Sequence, residues 1–247
     1  MNYTTNPYSA PQTGMEAAAA YASQNERASF IQRTYLHLMG AIFAFVGVEC
    51  LLFTMVPDQI IQRFVGAIFG NMVSMLIFFG GFMVVGWVAR SWAQSGSSAA
   101  IQYAGLLLYV LFEAVFFVPI LWIAQTKIGP DVIASAGVLT LIIFGGLTAV
   151  TFVTKTDFSF LGRFLFWGGI VAFGTIIAGM IFGFNLGMFF SVAMIALASG
   201  YILYDTSNVI HHYRTDQHVA AVLALFASVA VLFYYVLRLL MELQSRD

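Results

Sequence analysis

The sequence predicts an all-α polytopic membrane protein with seven transmembrane helices. Of its 247 residues, 61% are hydrophobic and only 9% are charged, whereas soluble domains are about 45–50% apolar and about 25% charged. The 10 Lys and Arg and the 11 Asp and Glu are too few to coat a water-soluble surface. The hydrophobic residues are concentrated in seven runs of about 20 residues, the length at which a helix crosses a bilayer core.

These runs define the predicted spans and the domain organisation. In chain order they cover residues 35–56, 71–89, 101–124, 132–153, 161–182, 187–209 and 219–241. Their apolar residues do not alternate with polar ones, so they are predicted to be helices and not strands of a barrel. Residues 1–34 are predicted to form a polar, cytoplasmic N-terminal tail, and residues 35–247 the transmembrane domain.

Two segments outside the spans carry further signals. Residues 1–14 are rich in Pro and Asn and are predicted to be disordered, whereas the composition of residues 15–33 favours a helix that extends the first span into water. After Pro57 and Asp58, apolar residues recur at helical spacing, which predicts a short helix in the membrane interface. These apolar residues are Ile60, Ile61, Phe64, Val65 and Ile68.

The positions of Lys and Arg predict the orientation, because positive residues concentrate on the cytoplasmic side of a membrane. A cytoplasmic N-terminus and an outer C-terminus place six of them inside and four outside. Those inside are Arg27, Arg33, Arg90, Lys155, Arg163 and Arg214, and those outside are Arg63, Lys127, Arg238 and Arg246.

Several functional classes are excluded at this stage. A net charge of −1 without a basic run argues against a nucleic-acid partner. The single cysteine, Cys50, cannot form an intramolecular disulfide. The sequence contains no spacing typical of metal ligands. The spans lack the second aspartate that an intramembrane aspartyl protease requires. No histidine within them is placed to activate a serine, as an intramembrane serine protease requires. We therefore predict no metal, no cofactor, no catalytic residue and no enzymatic activity.

Three carboxylates within the spans are candidate functional groups: Glu49, Glu113 and Asp205. A charge at the centre of a transmembrane helix costs at least about 2.5–3.5 kcal/mol, so each is predicted to face the bundle interior or water. Glu113, near the middle of its span, is predicted to line a polar route to the outer side. For Glu49, a possible secondary acid, and for Glu113, a purely structural group is the alternative interpretation.

Asp205 lies on a helical stripe that is predicted to face other helices. The stripe comprises Ser191, Met194, Ala198, Tyr201, Asp205, Asn208 and His212. The seventh span carries a matching stripe of Ala221, Ala224, Ser228, Val231, Tyr235 and Arg238. Asp205 and Ser228 lie at similar depth, so they are expected to meet, as a structural hydrogen bond or as part of a functional site.

Residues 199–210, SGYILYDTSNVI, resemble the sixth-helix motif of the Bax inhibitor-1 family. The sequence DFSFLG at 157–162 and the sequence LRLL at 237–240 extend the resemblance over the membrane region. Within the family, TSNVIH at 206–211 and the final Ser-Arg-Asp are most similar to the bacterial YccA-type branch. This branch implies a location in the bacterial inner membrane.

The resemblance implies six helices around a central seventh and an activity as a pH-sensitive calcium leak. In channel-like members an aspartate on helix six pairs with one on helix seven, and an arginine latches the closed state. Asp205 matches the first aspartate, Ser228 replaces the second, and Arg90 is the counterpart of the latch. Ionised Asp205 is expected to attract Arg90 or His212 and keep the cytoplasmic mouth closed, and its protonation favours opening. The ion pathway or pH gate is thus predicted at Asp205, Glu113, Ser228, Arg90, Tyr201, Asn208 and His212.

The YccA-type branch implies a different function, the restraint of a membrane-anchored AAA protease. Such a protease engages exposed ends, so the polar N-terminal tail would be the contact. Two functions therefore remain open, a cation leak and a protease modulator. The expected partners are the lipid bilayer, calcium or protons, and, for the second function, the protease.

Overall fold

The computed structural model describes residues 20, 22–94 and 98–245. These residues form eight helices and no β-strand: α1 (Gln24–Met55), α2 (Asp58–Phe69), α3 (Met72–Gln94), α4 (Ala99–Lys127), α5 (Pro130–Thr154), α6 (Leu161–Phe182), α7 (Gly187–His211) and α8 (His218–Gln244). All except α2 are long and apolar enough to cross a membrane. The predicted class, an all-α membrane protein with seven spans, is confirmed.

The helices extend beyond most of the predicted spans. Only α6 has the predicted bounds, and α1 differs most because it begins at Gln24. A capping box fixes this start: the Ser23 hydroxyl accepts a hydrogen bond from the Glu26 N–H, and the Glu26 carboxylate accepts one from the Ser23 N–H. The predicted helical extension is therefore helical from Gln24 onwards, whereas the predicted disorder of residues 1–14 lies outside the described residues.

The short helix after Pro57 is α2, as predicted. Ile61, Val65 and Ile68 are buried, and the first two pack with Val118 of α4. Ile60, which was expected on the same face, is exposed. The location of α2 in a membrane interface stays a prediction.

Helix α8 is the most enclosed span. Of the 18 most apolar consecutive residues of α8, 78% are buried, whereas only 6% of the corresponding stretch of α3 are buried. It packs against α1, α3, α4, α5 and most extensively α7, whereas α6 packs mainly against α7. A central α8 is consistent with the expected arrangement, but a complete ring of six helices stays a prediction.

Because consecutive spans cross in opposite directions, α1, α4, α6 and α8 begin at the same end of the bundle. We call this end the N-side and the opposite end, where α1 finishes, the C-side. The N-side carries the loops 155–160 and 212–217. The charge pattern predicts that the N-side faces the cytoplasm.

Candidate intramembrane acidic site

Asp205 of α7 and Ser228 of α8 meet inside the bundle. The Ser228 hydroxyl donates a hydrogen bond to Asp205 Oδ2 at 2.5 Å, and both residues are buried. They were expected to meet because both lie on inward stripes at similar depth. The contact joins the two helices that pack most extensively against each other.

Arg90, near the N-side end of α3, acts on this pair from a distance. Its charge interacts with Asp205, yet the two side chains form no ion pair within the described part of the chain. A cavity of about 40 Å³ lies beside the arginine, lined by Arg90, Ala93, Gln94, Ala220, Leu223 and Ala224. This volume can hold water, and the small side chains of α8 leave the space for it.

Tyr109 of α4 lies between Glu113 and Arg90 in this part of the bundle. Its side chain interacts electrostatically with both residues. Glu113 is 3% exposed, and its Oε2 has no hydrogen-bond partner among the described residues. It therefore faces the interior as predicted. The polar route to the outer side stays a prediction, and the contact with Tyr109 also suits the structural alternative.

Glu49 of α1 is the most isolated of the three acids. It is 7% exposed, and neither carboxyl oxygen has a hydrogen-bond partner in the described ranges. Phe45, one helical turn before it, packs against Phe117, and Phe53, one turn after it, packs against the same buried cluster. An unpaired charge is very costly in such apolar surroundings.

The other α7 residues predicted for the gate, Tyr201, Asn208 and His212, are less buried than Asp205. Tyr201 is half-buried, and its hydroxyl donates to the Leu165 carbonyl of α6 at 2.9 Å. Asn208 is also half-buried. His212 is exposed, because α7 ends at His211 and the backbone of the next residue is no longer helical. The structure therefore brings His212 to Asp157 and not to Asp205.

Asp157 is the centre of an N-side cluster that the sequence interpretation missed. Its carboxylate lies 3.2 Å from His212 Nε2 and accepts hydrogen bonds from the Ser159 N–H and the Ser207 hydroxyl. Burial acts to raise the pKa of Asp157, but the contacts with Ser159 and His212 outweigh it and lower the pKa to about 2. The motifs at 157–162 and 206–211 could have signalled this contact, since they supply Asp157 and Ser207.

A second missed residue, Glu242, joins the C-side ends of the two stripes. Arg238 Nε lies 3.0 Å from Glu242 Oε1, and the Ser191 hydroxyl donates to Glu242 Oε2 at 3.3 Å. Glu242 falls one residue outside the predicted span 219–241, so it was not considered with the stripe residues. α7 and α8 are thus joined by polar contacts at two depths.

Residues 27–246 match the model of the family described as "Inhibitor of apoptosis-promoting Bax1". The chain belongs to the Bax inhibitor-1 family. This match covers all seven spans, so the family resemblance seen in the sequence is confirmed.

Curated relatives include eukaryotic and bacterial proteins. The chain is 32% identical over 151 residues to "Bax inhibitor 1" of Schizosaccharomyces pombe, covering 59% of this chain and 54% of the relative. It is 35% identical over 126 residues to an "Uncharacterized membrane protein" of Vibrio cholerae, covering 48% and 53%. It is 34% identical over 147 residues to "Protein LIFEGUARD 3" of Arabidopsis thaliana, covering 56% and 57%. The chain spans about half the length of the curated relatives it matches. The resemblance to the YccA-type branch stays a prediction.

Proposed function

We propose that this Bax inhibitor-1 family protein is a pH-sensitive cation leak, with calcium as the expected ion and Asp205 as the gate. The observation that carries the proposal is the burial of Asp205 between α7 and α8 with the charge of Arg90 acting on it. A carboxyl group inside a bilayer is costly and marks ion or proton pathways in membrane proteins.

The gate operates through the attraction between Asp205 and Arg90. When Asp205 is ionised, this attraction draws the N-side end of α3 towards Asp205 and holds it against α8. Protonation removes it and weakens the closure. The Ser228 hydroxyl can donate to the ionised carboxylate or bond to the protonated one, so the contact between α7 and α8 persists in both states. The pH response is that of a single carboxyl group.

Glu113 and Glu49 supply further oxygen ligands on the path of the ion towards the C-side. Both are buried and carry oxygens without hydrogen-bond partners among the described residues. Calcium is a hard cation that binds carboxylate and carbonyl oxygens.

We place the protein in a bacterial inner membrane with the N-side in the cytoplasm, acting without catalysing a reaction.

The test is calcium flux into liposomes that contain only the purified protein. Asp205→Asn keeps the shape of the side chain but removes its titration, so flux is expected to lose its pH dependence. Asp131→Asn is the matched control because Asp131 is exposed at the start of α5. If Asp205→Asn leaves both flux and its pH dependence unchanged, the leak proposal is rejected.

A second candidate function is the modulation of a membrane-anchored AAA protease. It is favoured by Ser228, which stands where the channel-like members carry their second aspartate. The contact would be the polar segment that precedes Ser23, the cap of α1. Regulation of this kind requires the protease, whereas a leak requires only the bilayer.

A further inference from the structure

Three residues at the N-side form a hydrogen-bonded group that we call the histidine hub: His37 of α1, Tyr103 of α4 and His218 of α8. The Tyr103 hydroxyl lies 2.9 Å from His37 Nε2 and 3.0 Å from His218 Nε2. The centroids of the two imidazole rings are 5.4 Å apart. The hub therefore joins the N-side ends of three spans through one phenol oxygen.

The positions of the hydrogens in the hub follow from donor and acceptor rules. His37 Nδ1 lies 2.7 Å from the Arg33 carbonyl oxygen, which can only accept, so Nδ1 carries the hydrogen. In a neutral ring Nε2 is then an acceptor, and Tyr103 donates to it. The tyrosine oxygen in turn accepts from the N–H of His218 Nε2. With both histidines neutral, every one of these contacts is a satisfied hydrogen bond.

We propose that the histidine hub is a proton-binding site that holds α1, α4 and α8 together when neutral and releases them when it is doubly protonated. A first proton can bind His218 at Nδ1, which leaves all the hub hydrogen bonds in place. A second proton must bind His37 at Nε2. That nitrogen then becomes a donor, the hydroxyl hydrogen of Tyr103 has to turn away, and the tyrosine oxygen faces two cationic rings.

The neighbouring charges that act on the hub come from basic groups. The charges that act on His218 come from His37 and from Arg33, which lies one turn before His37 on α1. Neither hub histidine forms an ion pair with a carboxylate within the described ranges. Glu26, the acid in the first turn of α1, bonds to Ser23, and Asp216 in the loop before α8 pairs with Arg214. Packing therefore favours the neutral hub.

The sign of the pH effect follows by linkage. A histidine that is neutral in the packed state, and free to take up a proton once the helices separate, stabilises the packing at high pH and loses this contribution as the pH falls. Ordinary histidine side chains change their charge between about pH 8 and 5, so the response is sought in that range. It goes beyond the proposed leak, since it concerns other residues and requires no ion flux.

The first test is the tautomer of each histidine, observed by NMR of the ¹⁵N-labelled imidazoles of the purified protein at pH 7.5. The chain has 4 histidines, so the signals can be assigned with His37→Gln and His218→Gln. We expect hydrogen on Nδ1 in His37 and on Nε2 in His218. A His37 ring with its hydrogen on Nε2 would overturn the proposal.

The second test is the thermal stability of the protein in detergent between pH 8 and 5, with EDTA present so that metal ions cannot bind the histidines. We expect the wild-type Tm to fall by about 2–4 °C more than that of the His37→Gln/His218→Gln variant. His211→Gln is the control, because His211 bonds to the backbone of its own helix. It should retain the wild-type fall.

Tyr103→Phe keeps both histidines and removes only the bridging oxygen. We expect a lower Tm at pH 8 and a smaller fall towards pH 5, because the hydrogen bond from Tyr103 to His37 that acid removes is already absent. If the His37→Gln/His218→Gln variant does not fold, the comparison of Tyr103→Phe with the wild type still tests the proposal. Equal falls in the wild type and Tyr103→Phe, or in the wild type and the double variant, would overturn the proposal.

Discussion

At the scale of single residues, two of the three buried acids in the spans lie beside hydroxyl groups, and none of the three forms an ion pair among the described residues. Asp205 accepts a hydrogen bond from Ser228, and the Tyr109 side chain interacts with Glu113. A hydroxyl can donate to an ionised carboxylate and can accept from a protonated one. These acids can therefore change their protonation state without losing their nearest partner, which a salt bridge would not allow.

Substitution of Ser228 tests this arrangement. Ser228→Ala leaves the buried carboxyl of Asp205 without its donor, so the free energy of unfolding should fall by about 1–3 kcal/mol. Denaturant unfolding in detergent micelles measures the loss. Ser228→Thr, which keeps a hydroxyl, is the matched control. A fall of the same size in Ser228→Thr would show that packing, and not the hydrogen bond, is responsible.

Ser228→Asp adds a second carboxyl group that faces Asp205. Two such groups titrate as a coupled pair. The pH dependence of calcium flux should therefore become steeper than the single-proton response of the wild type. Flux into liposomes over a pH series measures the slope, and an unchanged slope would argue against a gate at this position.

The pKa of Asp157 predicts a second acid response, at the N-side surface. Because the pKa is lowered from its ordinary value of 3.8 to about 2, the ionised carboxylate stabilises the fold above about pH 4. This contribution is lost as the pH falls through about 2. Asp157→Asn should lower the Tm modestly at pH 6, since the side chain is 47% exposed. The difference from the wild type should shrink towards pH 2.

The contact between Asp205 and Ser228, which lie inside regular helices, could be predicted from the sequence, whereas the contacts of His212, beyond a helix end, could not. Asp205 and Ser228 were expected to meet because both lie inside helices of fixed period. His212 falls at the next position of the same helical spacing, but α7 ends one residue earlier and the His212 side chain lies next to Asp157. Periodicity carries no information beyond the last helical residue.

At the scale of elements, the sequence located every helix but underestimated most of their lengths. A hydrophobic run marks the part of a helix that lies in lipid, whereas the helix itself continues until a cap or a turn stops it. The start of α1 shows the difference, since Ser23 and Glu26 close it well before the apolar run begins. The spacing of these two residues is visible in the sequence, but it indicates a cap only once the intervening chain is known to be helical.

The interface of α3 and α4 depends on one glycine. A Cβ at Gly105 would lie 2.7 Å from the Ala89 carbonyl oxygen and 2.9 Å from the Trp92 Cβ. Gly105→Ala therefore forces the two helices apart and should cost about 1–3 kcal/mol of stability. Gly146→Ala is the control, because a Cβ there meets no atom of the described residues within 4 Å. Thermal unfolding should separate the two variants, and equal stabilities would contradict the close approach.

At the scale of the whole molecule, the enclosure of α8 is the feature that composition could not reveal. All seven spans are apolar enough to cross a membrane, and lipid tails are as apolar as the side chains of a helix interface. Hydropathy therefore cannot tell a lipid-facing helix from an enclosed one. The small residues of α8, such as Ala220 and Ala224 beside Arg90, are the better signal, since they allow neighbouring helices to approach closely.

The two proposed functions use different parts of the molecule, so a pair of variants separates them. Deletion of residues 1–22 removes the polar tail but keeps Ser23, the cap of α1, so the bundle should fold. If the protein modulates a protease, this deletion should abolish regulation, and Asp205→Asn should have no effect on it. If the protein is a leak, the deletion should leave calcium flux largely unchanged, and Asp205→Asn should alter its pH dependence.

Both variants are to be measured in both assays, calcium flux in liposomes and proteolysis by the membrane-anchored protease. We expect the leak outcome, because contact at the tail gives no reason for a buried carboxyl between α7 and α8, whereas a proton-controlled gate does. Loss of protease control on tail deletion, together with an inert Asp205→Asn, would reverse this choice and leave Asp205 as an interhelical hydrogen-bond acceptor for Ser228.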